Sequence, residues 1–307
     1  MPGTYAGWVG EELFGVVPNF SEGRRHDVIA AIVGALGVPG AQVVYAEADP
    51  DHNRLDTTVL GGADAVRASA LAGAAVAAAR IDMREHRGGH PRMGAADVIP
   101  FMPVRHVTIE DCVGLARSFG EELADRFDLP VYMYDRAAFV PERASLAEVR
   151  RGEYEGLREA VARGERLPDF GPREIGPAGA TAVGARKPLV AFNVYLDGRD
   201  EATGRSIAKA VRESGGGLPA VRAIGFAVPE RDGVVTVSMN LVDHEVTGLR
   251  AAFDRVAALA AEHGLAITDS EIVGLVPDSA LAPADPGYLR LEGFDADRQV
   301  LERLIEA

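Results

Sequence analysis

Two histidines stand among arginines and glycines in one short stretch of the chain. Such side chains can move protons and hold anions. The stretch includes His86 and His90, and between and after them come Gly88, Gly89 and Pro91. Because these residues prevent a regular helix, a loop is predicted here, and loops often carry functional residues. A histidine flanked by arginines suits general acid/base catalysis on an anionic substrate.

A zinc site is the alternative for the same two histidines. His86 and His90 are four residues apart, a spacing that places two ligands on one face of a helix. The intervening glycines argue against a helix, and the HExxH pattern of zinc peptidases is absent from the sequence. We therefore predict acid/base chemistry and no metal, and a metal-dependent hydrolase that uses His86 and His90 is the alternative.

Two further clusters are candidates for substrate binding. The first is a predicted turn between two strands, with Asp51, His52, Asn53 and Arg54. Aspartate and asparagine are ordinary turn residues, but the added histidine and arginine favour a site. The second is rich in glycine and proline, so a flat ligand could lie against its backbone, and its alternative is a stiff linker. Its residues are Gly171, Pro172, Arg173, Glu174, Ile175, Gly176, Pro177, Ala178 and Gly179.

The charge of the chain limits what it can bind. The formal net charge is −14, and so acidic a body repels nucleic acid and anionic membranes. An anionic substrate would need local cations, for which Arg54, Arg92 and Arg186 are candidates. The N-terminus has no basic region followed by an apolar run, so a cytoplasmic protein is expected, with small-molecule substrates and neither nucleic acid nor a membrane as partner.

The elements that must position these clusters repeat along the chain. Residues 13–104 show strand and helix periodicities in the order βαββαβ, and residues 189–275 show that order again. This order is typical of a ferredoxin-like sheet. We predict an α/β (α+β) fold of two related subdomains, residues 1–183 and 184–307, each a βαββαβ sheet with helices on one face. Residues 136–188, with one short predicted helix, are expected to be a connecting region with its own structure or a site loop.

Taken together, the motifs resemble one family. They occur in the same order in the formiminotransferase half of formiminotransferase-cyclodeaminase and in stand-alone glutamate formimidoyltransferases, and the resemblance covers roughly residues 14–280. The motifs are Val17–Gly23, Asp51–Arg54, Ile81–Met83, Gly89–Gly94, Asp97–Val98, Pro100–Phe101, Pro130–Tyr132, Pro168–Pro172, Gly184–Lys187 and Ala191–Asn193. The chain is similar to the stand-alone form.

The resemblance implies an activity and roles for residues. It implies transfer of a formimino group between N-formimino-L-glutamate and tetrahydrofolate, the latter as co-substrate, with His90 as the catalytic residue and no metal. It also implies that Gly171–Gly179 contact folate, although this chain lacks the tryptophan that other members carry near Ala178. A homodimer is expected. Related transfer to another amine is an alternative that the residues leave open.

The predicted topology places the candidate residues together. In a βαββαβ unit, the turn that leaves the second strand and the loop that enters the fourth strand lie toward the same end of the sheet. We therefore predict that His90, Asn53 and Gly171–Gly179 border one groove, with Arg54 or Arg92 facing into it. Asp51 is a candidate to orient His90 or to stabilise the amidinium.

Overall fold

The chain forms two compact units that divide after Arg186. The computed structural model describes residues 11–228, 231–282 and 284–306. Within these ranges, no helix combines the length and the apolar character that a bilayer crossing requires. Each unit has its own sheet and its own hydrophobic core, so the prediction of a mixed α/β fold with two subdomains is confirmed.

The first unit opens with the predicted βαββαβ order. The first helix buries one apolar stripe, with Val28, Ile32 and Leu36 almost fully covered, as helical periodicity predicts. The elements are β1 (Leu13–Val16), β2 (Asn19–Phe20), α1 (His26–Leu36), β3 (Ala41–Asp49), β4 (Arg54–Gly61), α2 (Ala63–Arg80) and β5 (Ala96–Arg105).

These strands pair in the ferredoxin-like arrangement. β1 and β2 occupy one position in the sheet, between β4 and β5, and they pair antiparallel to both. The break between them contains Pro18, which cannot donate a backbone hydrogen bond. Its carbonyl oxygen still accepts from the backbone nitrogen of Thr57 at 3.2 Å. β3 pairs antiparallel with the outer side of β4.

The sheet then continues beyond the ferredoxin-like part. The third long helix begins with a capping box, in which the Thr108 side chain accepts from the Asp111 backbone and Asp111 returns the bond. The further elements are α3 (Ile109–Phe127), β6 (Val131–Asp135), a 3-10 turn (Pro141–Arg143), α4 (Leu146–Val149), α5 (Glu153–Ala162) and β7 (Thr181–Ala185).

The last strand of this unit corrects one prediction. Residues 136–188 were expected to connect the subdomains, but β7 lies inside the first sheet, parallel to β5 on one side and to β6 on the other. All five of its residues are buried. Its sequence, Thr-Ala-Val-Gly-Ala, lacks the alternation of a half-buried strand, because a parallel strand covered on both faces has no polar side.

The two faces of the first sheet differ in character. Phe20 points toward α1 and α2, where its ring lies close to Gly73, and Phe101 stacks edge-on against Phe119 of α3 at 5.1 Å between centroids. Successive residues of a strand point to opposite faces, so Asn19 lies on the face away from these helices. The Arg54 side chain lies on the same face, since its Nη2 donates a hydrogen bond to Asn19 Oδ1 at 2.6 Å.

The second unit repeats the βαββαβ order. Its sheet has the strand order β11-β8-β10-β9, with every pair antiparallel. Short helices follow the last strand. The elements are β8 (Val190–Leu196), α6 (Glu201–Val211), a 3-10 turn (Glu213–Gly215), β9 (Val221–Val228), β10 (Val234–Leu241), α7 (Leu249–Glu262), β11 (Ile267–Val273), α8 (Asp278–Leu281), α9 (Ala296–Gln299) and α10 (Leu301–Glu306).

Candidate active site

Three loops of the first unit are held together by one side chain. Asn53 is buried, and its Oδ1 accepts from the backbone nitrogen of Gly23 at 2.8 Å. Its Nδ2 donates to the carbonyl oxygen of Arg87 at 2.9 Å. Asn53 itself has a φ of 50°, a left-handed conformation that asparagine tolerates. Three motifs that are distant in sequence therefore meet at this amide.

The turn after β3 and the loop before β5 lie side by side, as the topology predicted. The backbone nitrogen of Gly89 donates to the carbonyl oxygen of Asp51 at 3.2 Å. The rings of His52 and His90 lie edge to face, with centroids 6.3 Å apart. His52 is also paired with the carboxylate of Asp49. Asp51 is exposed, so its carboxylate is open to a ligand.

His90 is half-buried, and its hydrogen bond defines its tautomer. Nδ1 lies 2.7 Å from the carbonyl oxygen of Pro91, and since a carbonyl oxygen only accepts, Nδ1 carries the proton. In the neutral ring, Nε2 then keeps its lone pair and can act as a base. Burial, together with the positive charges of Arg54 and Arg150, lowers the pKa of His90 to about 3. The imidazole is therefore neutral near pH 7.

His86 has a different environment. It is buried, and its Nε2 donates to the carbonyl oxygen of Asn53 at 3.0 Å. Burial lowers the pKa of His86, so this ring is also neutral. Over the described ranges, no group of three or more His, Cys, Asp or Glu side chains is placed to hold a metal ion. His86 contributes to the packing of the turn that holds Asn53.

A buried ion cluster lies next to the loop between α2 and β5, residues 81–95, which carries His86 and His90 and is called the histidine loop below. Asp97 is fully buried, and its Oδ2 accepts from Arg54 Nη1 at 2.9 Å and also from Arg150 Nη2. Its Oδ1 accepts from the backbone nitrogen of Met93 at 2.8 Å. Burial alone would raise the pKa of Asp97, but the positive charges of the two guanidinium groups outweigh this effect and hold the pKa below the usual value. One carboxylate thus binds two cations and fixes the end of the loop.

Arg54 has further partners. Its Nε donates to Asp56 at 2.9 Å, and its Nη2 donates to Asn19. Every nitrogen of this guanidinium therefore has an acceptor, which makes Arg54 part of the framework of the site. The negative charges of Asp56 and Asp97 raise its pKa against the effect of burial.

Arg92, the other arginine expected to face the groove, is bound by two carboxylates. It is buried, and its guanidinium bonds to Glu153 at 2.6 Å and to Glu155 at 2.8 Å, both on α5. The backbone nitrogen of Tyr154 donates to the Arg92 carbonyl oxygen at 2.9 Å. Arg92 therefore fastens α5 to the histidine loop.

The glycine- and proline-rich segment lies at the end of the sheet where β5, β6 and β7 begin. Gly171 and Gly179 have φ values of 84° and 76°, which favour glycine. A side chain at Gly179 would meet the carbonyl oxygen of Met93 at 2.3 Å. The backbone nitrogen of Ala95 donates to the Ala178 carbonyl at 2.8 Å. The end of the segment thus contacts the end of the histidine loop.

The rest of this segment differs in exposure along its length. Arg173 and Glu174 are exposed, whereas Ile175 is buried in the core of the first unit. Pro177 accepts a hydrogen bond from the backbone nitrogen of Met83 at 2.7 Å. The structure therefore places the segment near the histidine loop, with polar side chains facing solvent.

Arg186 lies at the other end of β7. Its backbone nitrogen donates to the carbonyl oxygen of Phe101 at 3.0 Å. Its side chain bonds to Tyr134, a buried residue whose pKa is raised by burial. The Tyr134 ring covers Gly184, where a side chain would approach ring carbons to 2.5 Å. The charge of Arg150 also acts on Tyr134.

Two residues of the site were missed by the sequence analysis as functional candidates. Asp97 had a usable signal, because an acidic residue stands at the start of an otherwise apolar strand, and buried aspartate is rare without a partner. Arg150 had none, since it lies in a charged segment next to Arg151. The contact of Arg150 with Asp97 is visible only in the three-dimensional structure.

Comparison with known proteins identifies the family. A model described as the N-terminal subdomain of the formiminotransferase domain matches residues 13–186, and the formiminotransferase domain model matches residues 191–302. A glutamate formimidoyltransferase of Thermoplasma acidophilum is 42% identical over 94% of this chain and 96% of its own length.

Two other relatives extend this comparison. A glutamate formimidoyltransferase of Streptococcus pyogenes is 40% identical over 93% of this chain and 96% of its own length. A formimidoyltransferase-cyclodeaminase of Rattus norvegicus is 43% identical over 90% of this chain, and that match spans 52% of the rat protein. With matched subdomain models over most of its length, the chain belongs to the formiminotransferase domain family.

Proposed function

We propose that this protein moves a formimino group from N-formimino-L-glutamate to tetrahydrofolate, giving 5-formiminotetrahydrofolate and L-glutamate. The observation that carries the proposal is His90, a neutral imidazole with a free Nε2 lone pair beside two arginines. The names of the relatives from T. acidophilum and S. pyogenes support formimidoyl transfer with glutamate as one partner.

The reaction exchanges one carbon–nitrogen bond for another. N5 of tetrahydrofolate attacks the amidine carbon and forms the new bond. N5 then loses its proton, and the bond between that carbon and the α-nitrogen of glutamate breaks. The departing nitrogen takes up one proton, so the proton released by N5 is the one that glutamate needs. A single group that accepts and returns a proton serves both steps.

His90 Nε2 is the atom that we assign to this transfer. The bond from Nδ1 to Pro91 holds the ring and its tautomer. In the free protein, a pKa of about 3 makes His90 neutral but only weakly basic. A substrate carboxylate next to Arg54 and Arg150 offsets their positive charge, which raises the pKa of His90 toward the range of an effective base.

The folate is proposed to contact Gly171–Gly179. The support is the shape of this segment, in which left-handed glycines at both ends keep the backbone free of bulk, and its hydrogen bonds to the histidine loop. A flat pterin can rest against such a backbone. Arg173 is exposed here and is a candidate for a folate carboxylate.

The remaining proposed contacts are with the amidine and the carboxylates of the substrates. Asp51 is exposed beside His90 and could stabilise the amidinium. The side chains of Arg54, Arg92 and Arg186 already bond to protein groups. We therefore propose that these arginines set the charge and the shape of the site and do not bind the substrate carboxylates directly.

The test of the function is a two-substrate assay with the full chain. Formiminoglutamate and tetrahydrofolate should together give the folate absorbance change and an equal amount of free glutamate, and omission of either substrate should abolish both signals. Glutamate release without folate would instead favour the hydrolase alternative. If another amine replaces tetrahydrofolate at a higher rate, the alternative acceptor is favoured.

We also propose a cytoplasmic homodimer. β9 is an edge strand of the second sheet, and its Ile224 is 61% exposed. An apolar side chain on an exposed edge strand is a feature that another chain commonly covers. Light scattering at micromolar concentration should give the mass of two chains, and the mass of one chain would count against the dimer.

A further inference from the structure

In the buried part of the ion cluster, two guanidinium groups share one carboxylate. Asp97 offers one carboxylate to both Arg54 and Arg150, and its second oxygen is bound by the Met93 backbone. Asp56 pairs with Arg54 at the rim, where its side chain is 43% exposed. Among the residues that the structure describes, the carboxylate that pairs with Arg150 is that of Asp97, which Arg150 shares with Arg54.

The two arginines differ in how completely they are bonded. Each nitrogen of Arg54 has an acceptor. By contrast, Nε of Arg150 is buried and has no hydrogen-bond partner among the residues that the structure describes. The Arg150 side chain is only 12% exposed. Buried donors without acceptors are costly, so Arg150 is the arginine that has bonds left to give to a ligand.

Arg150 is also close to the catalytic histidine. Its charge and that of Arg54 are the two cations that act on His90, and Asp97 is the carboxylate that opposes them. The bond from the Met93 backbone to Asp97 ties this cluster to the loop that carries His90. An anion at Arg150 would therefore lie beside the imidazole.

We propose that Arg150 binds the α-carboxylate of the formimino donor. The inference rests on the proposed function, and its reason is the covalent structure of that donor. The α-carboxylate and the reacting nitrogen are attached to the same α-carbon, whereas the γ-carboxylate lies two methylene groups farther away. A guanidinium that holds the α-carboxylate thus fixes the reacting nitrogen relative to His90 Nε2.

The first experiment compares variants of the full chain. Arg150→Met should raise the KM for formiminoglutamate roughly 10- to 100-fold, the usual effect of removing a charged hydrogen bond, with little change in the KM for tetrahydrofolate. Arg150→Lys should recover part of the loss, because it keeps the charge without the planar fork. Arg151→Met is the matched control, since Arg151 is exposed and its ion pair with Glu148 lies at the surface, and it should behave as wild type.

The second experiment leaves the protein unchanged, so it does not depend on the folding of a variant. It compares wild-type turnover of two donor analogues, with an amide in place of either the α- or the γ-carboxylate. The α-amide should lose roughly 10- to 100-fold in kcat/KM, and more than the γ-amide. Arg150→Met should reduce kcat/KM for the α-amide much less than for formiminoglutamate, because the two changes remove one interaction.

The outcomes separate this inference from the proposed function. If wild-type protein turns over formiminoglutamate and tetrahydrofolate, the function stands whatever Arg150 does. If Arg150→Met then changes both KM values equally, or if the γ-amide is the poorer substrate, Arg150 does not bind the α-carboxylate. If wild-type protein shows no transfer at all, the proposed function itself is wrong.

Discussion

The carboxylate of Asp97 lies 2.9 Å from Nη1 of Arg54 at a position with no solvent exposure. Removing one member of a buried ion pair leaves the other charge without compensation, which is more costly than the loss of a surface pair. Here two guanidinium groups depend on the same carboxylate, so the stability of the first unit should be sensitive to it.

Asp97→Asn should therefore lower the free energy of unfolding by about 3 to 5 kcal/mol, measured by urea denaturation near pH 7. Asp56→Asn is the matched control, because it also removes a carboxylate from Arg54 but at an exposed position, and it should cost about 1 kcal/mol or less. Equal losses for the two variants would contradict the central role of Asp97.

The effect of Asp97 should depend on pH in a defined direction. Its pKa in the folded protein lies below the ordinary value of 3.8. The ionised carboxylate therefore contributes stability above about pH 4, and that contribution is lost as the pH falls through the folded pKa. The difference between wild type and Asp97→Asn should shrink in acid, and a difference that grows there would contradict the assignment.

His90→Ala should lower turnover roughly a hundred- to ten-thousand-fold, as expected for the loss of a general acid/base, equivalent to about 3 to 5 kcal/mol of barrier. Circular dichroism should remain that of wild type, because the hydrogen bond of the His90 side chain is to the carbonyl of its chain neighbour Pro91. His86→Ala is the comparison and should have the milder effect on turnover. Equal effects of the two variants would bring back the metal alternative.

The protonation of His90 can be measured directly. Because burial and the two arginines lower its pKa to about 3, its imidazole proton signals should show no titration between pH 8 and pH 5, unlike those of an ordinary histidine. Saturating L-glutamate should raise this pKa by adding negative charge beside Arg54 and Arg150. A free-protein pKa near 6.5 would show that the site does not hold His90 neutral.

Two glycines of the segment Gly171–Gly179 should respond differently to the same substitution. Gly179→Ala places a side chain against the Met93 carbonyl at a φ of 76°, and should cost at least about 2 kcal/mol. At Gly176 an added side chain meets nothing within 4 Å, so Gly176→Ala should change stability by about 1 kcal/mol or less. Thermal unfolding of both variants checks this, and similar melting temperatures would argue against the packing of Gly179 on the histidine loop.

The ferredoxin-like parts of both units could be predicted because their strands and helices each have one buried face. α1 shows this, with Val28, Ile32 and Leu36 at helical spacing. β7 could not be predicted, because its small residues are buried on both faces and its sequence therefore shows no alternation of apolar and polar residues. The approach of the Asn53 turn to the loop that carries His90 followed from the topology, whereas the contact of Arg150 with Asp97 depends on the path of an irregular segment.

The position of β7 also affects the order in which the chain can fold. β6 pairs with β7, which is made about 46 residues later in the sequence than the end of β6, counted from Asp135 to Thr181. During synthesis, β6 has no strand to pair with until β7 has been made. The side of β5 that β7 covers also stays unpaired until residue 185 has left the ribosome. Such long-range parallel pairing forms slowly. Completion of the first unit is therefore a late event, and a nascent chain that stalls before β7 would expose two unpaired strand edges to aggregation.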